Sequence, residues 1–275
     1  MDNLVFDITS EDAAYDYALK FTGMTGQELI NTYVLDSDSN IDIFWNRYFD
    51  RFNAVCFDNI NVAGFHVTGS LDDCNEIKTN GIFNLQYVLS HDTMLARELK
   101  KYGISFDISN RIMYVANVPY SVDYYSYDDV DYRDGLEGKL KSIGHRLYYD
   151  YCVDGFLCDK DVKRYGTDIH RRPEFILKLI DFNKDIEKLD KYWKDNSKGY
   201  KVYFKVGLEQ IHKFTFFSED NNEPYSEDEI LVLKKKFLAM ALSVAFDDGL
   251  SQQIIYIRDD EYIRPEQITK CELID

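Results

Sequence analysis

The sequence predicts an α+β fold: a mostly antiparallel β-sheet with flanking helices, preceded by an N-terminal helical segment. Three observations carry that reading. Helical and strand patterns are mixed without the regular β-α-β alternation of a doubly wound sheet. Hydrophobic residues make up 45% of the 275 residues and aromatics 15%, enough to bury a real core. Capping signals recur along the chain, with a small hydroxyl residue ahead of an apolar run, acids in the first turn and a glycine at the exit.

Residues 1–54 read as the helical segment. Thr9-Ser10-Glu11-Asp12 fits a capping box ahead of "AAYDYALKF", and Gly23 stops that helix. A second helix runs from Thr25 through Val34 and a third through "IDIFWNRYF". Residues 55–275 form the α+β domain, with the boundary near 54–60. There "NVAGFHVT" reads as a strand, and "SLDDCNEIKTNG" as a helix with Ser70 as N-cap and Gly81 at its end. "SHDTMLARELKKYG" repeats that plan up to Gly103. "RIMYVANV" is a strand, residues 120–134 a flexible, acidic, tyrosine-rich loop, and "GLEGKLKSIGHRLYYDY" a helix. "DGFLC", "EFILKLI", "KVYFKVGL" and "KFTFF" read as strands. "SEDEILVLKKKFLAMALSVAFDDG" is a long helix whose "KKKF" run is its solvated face, and "QIIYIR" and "ITKCELI" are closing strands. Trp45 and Trp193 are core anchors.

Composition narrows the function. The formal net charge of −17 disfavours broad, nonspecific nucleic-acid binding, which needs Lys and Arg against phosphate. "KDVKR" at 160–164 and "HRRP" at 170–173 are the local basic exceptions. The 32 Lys and Arg are interleaved with the acids, unlike the extended carboxylate surface of a nucleic-acid mimic. Five cysteines at irregular spacing predict neither a disulfide framework nor a zinc knuckle. An acidic N-terminus and the lack of an 18-residue apolar run predict a cytoplasmic chain with no membrane partner. Phosphate-loop, dinucleotide, zinc-protease and nucleophile-elbow motifs are all missing, and the five histidines are scattered, so no metal site is expected.

One stretch carries chemistry. In "GFHVTGSLDDCNEIKTNGI", residues 64–82, a histidine stands at the end of an apolar strand with a hydroxyl two residues on. An imidazole there can donate to a ribose hydroxyl, exposed backbone groups can grip a carboxamide, and the following helix start favours an anion such as a pyrophosphate. A satisfied core histidine with Thr68 as a plain turn residue is the structural alternative.

This stretch resembles the opening strand and helix of the NAD-dependent ADP-ribosyltransferases: the poly(ADP-ribose) polymerase and diphtheria-toxin-like branch, the RNA 2′-phosphotransferases and the bacterial DNA-modifying toxins. The resemblance implies a split antiparallel sheet, with NAD as substrate and an ADP-ribosyltransferase (glycosyltransferase) activity on a macromolecular acceptor, protein or nucleic acid. It implies that His66 and Thr68 hold NAD and that an aromatic on a second strand, here Tyr114, stacks on nicotinamide. An acid on a later strand then stabilises the oxocarbenium ion as nicotinamide leaves. Two positions compete, and Glu174 is preferred because it keeps the charge that this chemistry requires. "HRRPEFILKLI" puts Glu174 at the start of a strand, similar to a segment of the DNA-modifying toxins, with Arg171 just upstream to touch a phosphate. "SQQIIYIRDDEYIRPEQI" resembles the acidic segment of the polymerase branch, but places neutral Gln253 at the acidic position. With Glu174 the chain is a transferase of the kind found in bacterial or phage conflict toxins. With Gln253 it is a catalytically inactive module that binds a regulatory protein partner.

Overall fold

The computed structural model describes residues 4–133, 135–218, 223–246 and 249–274. In chain order the elements are β1 (Val5–Phe6), α1 (Glu11–Thr22), α2 (Gly26–Leu29) running into a π-helical turn (Ile30–Leu35), α3 (Ile41–Arg47), α4 (Phe49–Asn53), β2 (Asn61–Ser70), α5 (Asn75–Asn80), α6 (Leu85–Ser90), α7 (Met94–Lys101), β3 (Ile104–Asp107), β4 (Ile112–Val115) and β5 (Val118–Ser121). There follow α8 (Gly135–Tyr148), β6 (Asp154–Asp159), α9 (Phe175–Phe182), α10 (Glu187–Asn196), β7 (Lys198–Gly207), α11 (Glu227–Ala245), β8 (Gln252–Tyr256) and β9 (Ile268–Leu273).

The fold is α+β with antiparallel sheets and flanking helices. The larger sheet has the strand order β8-β6-β2-β7-β9, with β1 beside β2, and a smaller one has the order β3-β4-β5. The β2–β6, β6–β8, β3–β4 and β4–β5 pairs are antiparallel, and the short β1 is parallel to β2. By compactness the chain divides into two units. The first is Met1–Phe65, Asp154–Lys160 and Tyr203–Tyr256; the second is His66–Val153, Asp161–Val202 and Ile257–Asp275.

In the first unit the N-terminal helices form as the capping signals predict. The Ser10 hydroxyl accepts from the Ala13 N–H, Gly23 closes α1 in the left-handed region at φ 60°, and Thr25 and Glu28 form a capping box on α2. Val5–Phe6, expected within the helical segment, is instead a strand. The core is aromatic: Phe6 stacks on Phe237 at 3.9 Å, and Tyr17, Phe21, Trp45 and Phe52 pack in turn. The "KKKF" run is only in part a solvated face: Lys234 is buried, Lys235 half-buried and Lys236 exposed. The Lys234 amine donates to the Asn53 carbonyl at 2.6 Å, Lys235 to Asp42 at 2.6 Å, and Lys236 to the Phe216 carbonyl. Each ammonium finds an oxygen on its own chain. "KFTFF" is not a strand either. Lys213–Thr215 is a 3-10 turn, fixed by the buried Lys213 amine bonding Glu229 at 2.9 Å. Of the long helix's expected span, Asp247 and Asp248 lie outside the described residues, as does Asp134 of the tyrosine-rich stretch.

An apolar cluster of the second unit is built from α6, α7, β3, β4, α8, α9 and α10, with Leu99, Ile143, Ile176, Leu189 and Trp193 among its buried members. "EFILKLI" belongs to α9, not to a strand. Its buried Phe175, Ile176 and Leu179 fall on one helical face, and an apolar run this short, interrupted only by Lys178, fits either period. The tyrosine-rich stretch is also more ordered than a flexible loop. It contains the end of β5 and a 3-10 turn at Tyr124–Tyr127. Lys141, 7% exposed, donates to the carbonyls of Asp128 at 3.0 Å and Val130 at 2.9 Å. Gly138 and Gly144 let this segment lie directly on α8: a Cβ there would come within 2.5 Å of the Asp131 oxygen and 2.4 Å of the Val122 oxygen.

Candidate functional site

The candidate site is built on the last five residues of β2, which belong to the second unit. Side chains alternate along a strand, so His66 and Thr68 share one face and Val67 and Gly69 the other. His66 and Thr68 are half-buried, whereas Val67 and Gly69 are buried. The buried face is tightly occupied. A Cβ on Gly69 would lie 2.4 Å from the Arg171 carbonyl carbon and 2.6 Å from the Arg172 nitrogen, and the Trp193 indole N–H donates to the Gly69 carbonyl at 2.8 Å. The backbone at 171–172 therefore covers the face of β2 opposite His66 and Thr68.

The turn after β2 departs from the expected cap. Ser70 ends the strand rather than capping the helix, and its hydroxyl accepts from the N–H groups of Asp72 at 3.3 Å and Cys74 at 2.8 Å. Asp73 and Cys74 then adopt left-handed conformations, with φ of 56° and 60°. Asp72 accepts from the Glu76 N–H at 2.8 Å, which fills the start of α5. The Glu76 carboxylate in turn takes the Met94 N–H with both oxygens at 2.9 Å and pairs with Arg97 at 3.0 Å, which fills the start of α7. The expected anion site at this helix start is thus closed from within: an incoming phosphate meets carboxylates rather than open donors. The end of α5 matches expectation. Gly81 has φ of 98°, a Cβ there would lie 2.3 Å from the Ile263 oxygen, and Ile82 bridges to Ile263.

Beside this turn, the Asp73 carboxylate accepts from Lys198 at 2.9 Å and from the Tyr200 hydroxyl at 2.7 Å. The Lys198 and Tyr200 hydrogen bonds hold the Asp73 pKa below the usual carboxylate range. The same bond to Asp73, with burial, pushes Tyr200 up to about 12.

The remaining sequence candidates are held as follows. Tyr114 lies on β4, opposite Ser105 and Pro119, in the smaller sheet. Its neighbours Met113 and Val115 face the apolar cluster, so Tyr114 points the other way. Glu174 is the residue before α9, with its carboxylate 3.4 Å from the Arg146 guanidinium, which also pairs with Asp150. Arg171 is exposed and donates to the Lys194 carbonyl at 3.1 Å, at the C-terminal end of α10. Arg172, 3% exposed, is bound to Asp190 and the Thr167 carbonyl. "HRRP" is therefore largely an internal clamp. Gln253, in the first unit, sits on β8 opposite Cys158 of β6, with its amide donating to the Ile254 carbonyl at 3.3 Å.

Sequence reasoning passed over Asp72, Glu76 and Arg146; it read Trp193 as a core anchor, which it is, without its bond to Gly69. Ser-x-Asp followed by an acid four residues on was a readable turn signal; the Arg146–Glu174 and Trp193–Gly69 contacts join distant segments and left none. No family model matches this chain, and neither a curated protein nor a solved structure does. Among the described residues no helix is long and apolar enough to cross a membrane.

Proposed function

We propose that this protein is a nucleotide-binding module of the ADP-ribosyltransferase kind, which holds the nicotinamide–ribose half of NAD at His66 and Thr68 without transferring ADP-ribose. The observation that carries the reading is the placement of Glu174. A carboxylate that stabilises an oxocarbenium ion must present its charge to the sugar. Glu174 stands at a helix start with Arg146 against its carboxylate, 3.4 Å away. At the other candidate position Gln253 carries no charge. The half-buried imidazole and hydroxyl on one face of β2 supply donors for a ribose and its attached amide, and the filled helix start leaves the phosphates to solvent.

The test combines a thermal shift with NAD and an assay for released nicotinamide in the presence of protein and DNA acceptors. The reading expects a shift that His66→Ala removes and no nicotinamide above the uncatalysed level. Nicotinamide release abolished by Glu174→Gln establishes the active transferase instead. No shift at millimolar NAD sinks both.

A further inference from the structure

We propose that the tyrosine surface on the second unit, between the 3-10 turn at Tyr124–Tyr127 and the end of α8, docks an arginine-rich segment of a partner protein. The rings form one connected group. Tyr124 lies 5.4 Å from Tyr125, 5.3 Å from His145 and 5.9 Å from Tyr149, and His145 lies 4.8 Å from Tyr149 and 6.1 Å from Tyr132. The outer members are open to solvent: Tyr149 is 67% exposed, Tyr125 54% and Tyr132 47%. Neighbouring large rings exposed together on a rigid support are characteristic of docking surfaces, where Tyr supplies area at little entropic cost. The support is rigid because Lys141 and the two glycines of α8 hold the segment down.

Charge selects the occupant. Asp128 and Asp129 are exposed beside the rings and enter no ion pair among the described residues. The cluster already takes cations from its own chain, with the Lys141 ammonium 5.1 Å from the Tyr132 ring centre and the Arg111 guanidinium 5.5 Å from that of Tyr125. A guanidinium can repeat this contact on the outer faces while its N–H groups reach the two free carboxylates. A second copy brings the same acids, and a nucleic acid brings phosphates, so both are repelled. The surface includes none of the β2 residues, and its test does not depend on NAD binding.

The test is fluorescence anisotropy of a labelled twelve-residue peptide alternating Arg and Gly, titrated with the full chain. The double variant Tyr125→Ala/Tyr149→Ala leaves the net charge at −17, so it separates this surface from bulk attraction. It is expected to weaken binding at least tenfold, as is Asp128→Asn/Asp129→Asn, whereas Phe at both tyrosine positions keeps binding within about threefold, because the ring face rather than the hydroxyl makes the contact. Tyr149→Ala alone, at the most exposed ring, checks the result should the double variant melt early. Equal binding by wild type and both alanine variants overturns the proposal, as does tyrosine-dependent self-association in sedimentation or tyrosine-dependent binding of a neutral oligosaccharide in place of the peptide.

Discussion

The Trp193 indole nitrogen donates to the carbonyl of Gly69 at 2.8 Å, across 124 residues of sequence. This bond joins α10 to the strand that carries His66 and Thr68, at the residue where a Cβ has no room. Trp193→Phe leaves that carbonyl unsatisfied and is expected to cost about 1–3 kcal/mol. Gly69→Ala must displace backbone rather than a flexible side chain, and is expected to lower the urea midpoint further. Equal midpoints for wild type and both variants contradict the clamp.

The acid limb of the stability curve should carry a signature of Glu229. The Ser226 backbone N–H, then the Lys213 amine, pull its pKa from the ordinary 4.5 down to about 2. A depressed carboxylate favours the folded state above its unfolded pKa, and that contribution fades as pH falls from about 4.5 through about 2. Glu229→Gln is therefore expected to be less stable than wild type at pH 7, with the gap closing below pH 3 in urea titrations. A gap that is independent of pH refutes the assignment.

Gly144 sets how closely the tyrosine-rich segment lies on α8. Gly144→Ala puts a carbon 2.4 Å from the Val122 oxygen, and overpacking of this kind costs about 1–3 kcal/mol. Lys141→Met instead removes the amine that donates to the Asp128 and Val130 carbonyls. Both are expected to speed amide exchange in residues 122–132 while exchange in α11 stays unchanged. Slow exchange retained in both variants means that the segment is held by something else.

The buried Tyr17 hydroxyl has no hydrogen-bond partner among the described residues, and burial raises its pKa well above the usual 10. Removing an unsatisfied hydroxyl relieves a desolvation cost, so Tyr17→Phe is expected to be neutral or stabilising by up to about 1 kcal/mol. A loss of stability in thermal melts contradicts this.

Local chemistry was legible in the sequence where it stays local. The caps at Ser10, Thr25 and Ser226 and the glycine at 81 satisfy donors and turns within a few residues, and they are where the pattern puts them. The same logic failed at Ser70, because Asp72 two residues on competes for the role and wins the α5 N–H. "EFILKLI" failed because its apolar residues span too few positions to separate a period of two from one of 3.6. Glu174 was chosen for its charge alone; its partner Arg146 lies 28 residues upstream, and no spacing rule joins them.

The first unit is made of three stretches, the last of which is Tyr203–Tyr256. A ribosome delivers those stretches in order, so Phe6 emerges long before Phe237, the ring it stacks on at 3.9 Å. The aromatic N-terminal helices must wait, incompletely covered, until α11 is synthesised. Nascent chains cut short before α11 are therefore the species that chaperones would meet most often.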